Sequence, residues 1–143
     1  MQAVQIHNGY FLVFERGEEL MTTLTRFCEE NEMHWGQLQA IGAVEDVEIG
    51  FYDLENKRYV FRLEEGLFEV ASMDGNISEI DERPVIHVHA VLSRCDETLE
   101  TIGGHLRTAR VAVTLELCLW NVSQPLLREP DEETGLNLIN LTP

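Results

Sequence analysis

The chain has 143 residues, 44% of them hydrophobic, and carries 26 acidic residues against 10 basic ones for a net charge of −16. That length suits one domain, residues 1–143, burying roughly two thirds of the surface exposed by its unfolded form. No run approaches the ~18 continuous apolar residues of a membrane span, no secretory leader is evident at the amino terminus, and so acidic a surface repels a phosphate backbone; a cytoplasmic protein is expected, with no membrane partner and nucleic acid disfavoured.

In chain order, "GYFLVFER" (Gly9–Arg16) is rich in aromatic and branched residues and ends at a glycine, the pattern of a strand. The period then changes. Leu20, Leu24, Phe27 and Cys28 form one stripe of an amphipathic helix over Glu18–Asn31, with Glu18 and Glu19 in its first turn, where the dipole favours them. The helix is expected to end before His34. From Gly36 the pattern is strand after strand: "GQLQAIGAVEDVEIGFYD", "KRYVFRL", "LFEVASMDGNIS", "PVIHVHAVLS", "ARVAVTLELCLWNV" and "LNLINL". Breaks fall at "ENK", "EEG", "DGN" and "DERP", all turn-forming residues. "EPDEETG" (Glu129–Gly135) reads as a mobile loop. The expected fold class is α+β: a single domain with one main helix packed on a predominantly antiparallel sheet.

Within "VAVTLELCLW", Val111, Val113, Leu115, Leu117 and Leu119 alternate with Ala112, Thr114, Glu116, Cys118 and Trp120, and both sets are too apolar for one wet side. Either the strand lies between the helix and a curled sheet, or its second face meets another subunit. Cys28, Cys95 and Cys118 are widely spaced, the usage of reduced, buried thiols, and no C-x-x-C pair suggests a thiolate zinc site.

"PVIHVHAVLSRCDETLETIGGHL" holds three of the five histidines. On a strand His87 and His89 share one face, their Cα atoms about 6.7 Å apart. Imidazoles from that spacing can converge on one ion at about 2.0–2.1 Å. His105 is the candidate third ligand, since a hairpin-like return would bring it beside them and Gly103 and Gly104 permit close backbone approach. Three imidazoles and an open position suit a divalent ion such as zinc, with iron, nickel or manganese as alternatives. Histidines in a polar groove can equally satisfy one another or bind water without metal. Surface roles are expected for His7 and His34.

Together "GYFLVFERGEEL", "QAIGAVEDVEIGFYD", "LFEVASMDGNIS", "HVHAVLS", "GGHL" and "VAVTLELCL" resemble the PPC domain (plants and prokaryotes conserved) in its prokaryotic stand-alone form. The resemblance implies an α+β domain with a large antiparallel sheet, assembled as a homotrimer. It also implies a bound metal, zinc first, at the histidines of "HVHA" and "GGHL", which plant members lack. Plant members join this domain to a DNA-contacting AT-hook, the origin of the family's DNA-binding label; this chain has no Arg-Gly-Arg core. The expected function is metal binding at His87, His89 and His105, with a possible small-molecule ligand at the open position, in a binding or regulatory trimer. The alternatives are a zinc-dependent hydrolase or lyase, for which Glu69 and Glu116 are the candidate catalytic carboxylates, and a DNA-binding protein.

Overall fold

A computed structural model describes residues 1–141. Its elements in chain order are β1 (Gln2–Ile6), β2 (Gly9–Glu15), α1 (Leu20–Glu30), β3 (Gly36–Asp53), β4 (Arg58–Ile80), β5 (Arg83–Arg94), β6 (Thr101–Asn121), β7 (Leu127–Pro130) and β8 (Asn137–Asn140). The α+β expectation is corrected by this content: 67% of the described residues are strand and 8% helix, so the fold is mostly β with one short helix. The sheet is mixed, because β7 joins β4 in parallel at Glu79 and Leu127 while the remaining ladders run antiparallel.

The physical reason lies in strands that run through their own turn signals. "KRYVFRL" and "LFEVASMDGNIS" fuse into the 23 residues of β4. At "EEG" the chain forms a bulge instead of a turn: between the pairs Glu45–Leu67 and Val47–Glu64, β4 takes one residue more than β3. Gly66, at φ +100°, supplies the backbone angle this requires.

The sheet follows the order β1-β2-β6-β3-β4-β7-β8, and β5 pairs with both β4 and β6. Strands β3, β4, β5 and β6 therefore close a ring of pairings that curls the sheet around the core. Into that core point Leu38, Val44, Met73, Ile77, Leu92 and Leu117, each at most 2% exposed. Helix α1 packs on β5 and β6 through Leu20, Leu24, Phe27 and Cys28. Glu19 is its N-cap, accepting from the backbone N–H groups of Met21 and Thr22, and Glu18 instead pairs with the amino terminus at 2.8 Å. Both acids thus precede the first turn.

Three local expectations also change. Val113 is 64% exposed and Ala112 is buried, because three β6 residues face one of β3 between the pairs Gly42–Leu115 and Val44–Val111, which interrupts the alternation within the bulge while Val111 and Leu115 on either side stay buried. Cys95 is exposed and Cys118 half-buried, leaving only Cys28 as a core thiol, pushed up to about 12 by burial. Residues 129–135 close the β7–β8 hairpin as a held turn: Asp131 accepts from the Thr134 N–H and hydroxyl, and Asp131 N–H donates to the Leu136 carbonyl. Among the described residues no helix is long and apolar enough to cross a membrane.

Candidate metal centre

The alternation of β5 sends Val88, Ala90 and Leu92 into the core and leaves His87 and His89 on the opposite face. Strand β6 returns antiparallel with His105 directly opposite His89. Gly104 makes this return possible. A Cβ there would lie 2.3 Å from the Gly50 carbonyl oxygen on β3, so only glycine lets β6 pass this close to β3 next to His105. At Gly103 the same test gives 3.3 Å to Ala90, which a small side chain can tolerate, so the two glycines are not equivalent.

The three rings meet. His87 Nε2 lies 3.1 Å from His105 Nδ1 and 3.2 Å from His89 Nε2, and one nitrogen from each ring lies within 4.8 Å of the others. Ligands at 2.0–2.1 Å around a tetrahedral ion would stand about 3.3 Å apart, so the spacing fits a divalent ion. A hydrogen-bonded cluster explains it less well. His87 Nε2 has either one proton or one lone pair, so it can make one well-directed bond, yet it has two close nitrogen neighbours.

Electrostatics favour neutral rings, the form a metal binds. Burial, followed by His105, His89 and Arg128, pulls the His87 pKa down to about 4. Burial and then His89 lower that of His105. The edge of His105 meets Tyr59, with ring centroids 5.2 Å apart.

Beside the cluster lies a groove of about 280 Å³, walled by Tyr59, Ile86, Arg128, Leu136 and Leu138 among others. The β7–β8 hairpin forms one side, its tip tied to the β3–β4 turn by Tyr52 Oη donating to the Thr134 carbonyl and Lys57 Nζ donating to the Glu132 carbonyl. Arg128 leaves this hairpin to donate to Ser78 Oγ at 2.6 Å and Asn76 Oδ1 at 3.3 Å on β4, and to the Asn137 carbonyl at 2.8 Å. Asn76 is the cross-strand partner of His87.

The structure does not bring the two candidate carboxylates to this groove. Glu69 contacts the Cys95 thiol at 3.9 Å, and Glu116 lines a separate groove with Phe11, Gln39, Cys118 and Trp120. The carboxylate closest in register is Asp74, opposite His89, and it is engaged by Ser72 and Gln39. His7 is exposed, and His34 lies apart from the cluster with Nδ1 2.7 Å from Glu79 but not aligned for a hydrogen bond. Sequence reasoning passed over Tyr59, Asn76 and Arg128. For Arg128 a signal existed, an isolated cation in the acidic segment "LREPDEE".

The family model of the Plants and Prokaryotes Conserved (PCC) domain matches residues 1–123. Among solved structures, the chain is 34% identical to a metal-containing protein from Archaeoglobus fulgidus, covering 98% of this chain and 99% of that one at a TM-score of 0.83. It is 29% identical to a plant- and prokaryote-conserved (PPC) protein from Pyrococcus horikoshii, covering 94% and 92% at 0.82. To a protein from Ralstonia eutropha described as a candidate DNA-binding protein it is 26% identical, covering 98% and 96% at 0.88. No curated protein matches the chain.

Proposed function

Because the chain belongs to the Plants and Prokaryotes Conserved domain family, we propose that it is a metal-binding member in which His87, His89 and His105 hold one divalent ion, zinc first, and leave a position open to a small-molecule ligand. The observation that carries this reading is the pair of nitrogen separations, 3.1 and 3.2 Å, centred on His87 Nε2. The metal-containing relative from Archaeoglobus fulgidus lends support. Imidazole donors without carboxylates favour zinc over calcium or magnesium, with iron, nickel and manganese as the alternatives. When bound, such an ion supplies a Lewis-acidic position for an oxygen or nitrogen donor. The chain's own residues hold the His87 and His105 imidazoles neutral, partly shield these two from water and line the groove beside them.

A binding or regulatory role in a homotrimer is favoured over a zinc-dependent hydrolase or lyase, because neither Glu69 nor Glu116 shares the histidine groove to serve as a base. Assembly finds support in exposed apolar side chains on the sheet's outer face: Ile41 at 60%, Leu63 at 58% and Val113 at 64%. DNA binding, the description given to the Ralstonia relative, is opposed here by the charge of −16.

The deciding experiment is metal analysis of protein purified without chelators or an affinity tag. About one equivalent of metal per chain is expected, or, if the ion is lost on purification, tight zinc uptake with a rise in melting temperature. Replacing the exposed His89 with Ala should abolish stoichiometric metal and leave the fold intact, since its side chain lies on the face away from the core. Absence of metal together with no response to added zinc would leave the three histidines as a purely structural cluster.

A further inference from the structure

Arg128 stands apart among the chain's arginines. In a chain of net charge −16, Arg62, Arg94, Arg107 and Arg110 each pair with a carboxylate, and Arg16, Arg26, Arg58 and Arg83, which form no ion pair among the described residues, are exposed to water. Arg128, half-buried, has no carboxylate within 4.0 Å among the described residues. Its three hydrogen bonds go to neutral oxygens of Ser78, Asn76 and Asn137. These aim and hold the guanidinium, and they use three of its five N–H groups. A positive charge removed from water is costly unless something compensates it, and neutral acceptors do so only in part.

That charge lies on the wall of the groove that His87 and His105 also line, tied to Asn76, the cross-strand partner of His87. Apart from Asn137, whose carbonyl accepts from Arg128, the rest of the wall is largely apolar, with Tyr59, Ile86, Leu136 and Leu138 among its residues. At about 280 Å³ the groove falls at the small end of ligand sites. One fixed cation, an apolar wall and a cluster of nitrogen donors describe a complementary ligand with one anionic head and a compact apolar body. A planar guanidinium matches a carboxylate with two parallel bonds, which a point charge cannot do. Arg128, Leu136 and Leu138 all come from the segment beyond residue 123, where the family match ends. The hairpin thus contributes selectivity, and the matched domain contributes the histidines.

We infer that this groove takes a small organic monocarboxylate, its carboxylate facing Arg128 and the three histidines and its apolar body against Ile86, Leu136 and Leu138. The inference rests on the metal reading above, and the experiment separates the two. The protein is loaded with cobalt(II), whose visible absorption reports the metal's surroundings, and titrated with benzoate, with calorimetry in parallel. Benzoate is expected to bind and perturb the cobalt spectrum, while benzamide, which lacks the charge, and inorganic phosphate, which lacks the apolar body, do not. Arg128→Gln is expected to weaken benzoate about 10- to 100-fold with cobalt content unchanged. Leu138→Asp, at a residue 41% exposed, is expected to weaken it as well by setting a negative charge at the rim, with circular dichroism and cobalt content unchanged. Cobalt bound without a benzoate response, benzoate affinity unchanged in both variants, or an equal response to benzamide or phosphate overturns the inference and leaves the metal reading standing. Failure to bind cobalt at all removes both.

Discussion

His87 shows how the environment of a single side chain sets its chemistry. Its pKa stands near 4 chiefly because burial penalises the charged ring. An unfolded chain would protonate the same histidine at about 6.5. Between about pH 6.5 and 4 the unfolded state of the metal-free protein therefore binds more protons than the folded state, and His87 makes stability fall as the pH drops through that window. His105 acts in the same direction. Melting temperatures of metal-free wild type and His87→Gln, compared across this range, should show the wild type losing ground to the variant as acid is added. Metal occupancy obeys the same competition with protons. From reference values alone it would decline below about pH 6. With two of three ligands resisting protonation, the decline is expected at lower pH, as measured by metal retained after dialysis at each pH.

At the scale of elements, the site depends on how closely β6 approaches β3 and β5. Gly104 sits where a Cβ would meet the Gly50 carbonyl oxygen at 2.3 Å, a backbone atom that cannot swing aside as a side chain can. Gly104→Ala should cost about 1–3 kcal/mol, the range for forced backbone shifts in packed regions. It should also lower metal affinity by displacing His105, whereas Gly103→Ala, with 3.3 Å to Ala90, should be milder in both respects. Chemical denaturation and zinc titration of the two variants distinguish a local role at the site from a general loss of packing. The helix is a contrasting case. Its stripe of Leu20, Leu24, Phe27 and Cys28 was legible from spacing alone, and α1 lies within the predicted span. What spacing could not reveal is how little of the sheet 11 residues can cover.

For the whole molecule, the outer face of the curled sheet carries apolar side chains that a monomer would leave in water. Light scattering at micromolar concentration is expected to give three times the 16.4 kDa chain mass; a monomer would remove the trimer proposal. An electrophoretic assay with duplex DNA at low salt, the condition most favourable to binding, should show no shift, because counterion release needs a basic surface and this one is acidic.

Sequence alone determined the features that depend on near neighbours in the chain: the helical stripe, the common face of His87 and His89, the excess of acid, and the set of motifs that point to the family. Two-residue alternation and helical spacing are local geometry, so they survive folding unchanged. Tertiary structure decided the rest. Whether "EEG" turns or bulges depends on the strand pairing across from it, and so does the face on which Val113 emerges. His105 meets His89 only because β6 lies in one register of several that its alternating pattern would allow. Arg128 reaches the same groove from 23 residues further along the chain than His105, through a hairpin held in place by Tyr52, Lys57 and Asn76. Contacts between residues so far apart depend on the packing of the entire sheet, and no local pattern encodes them.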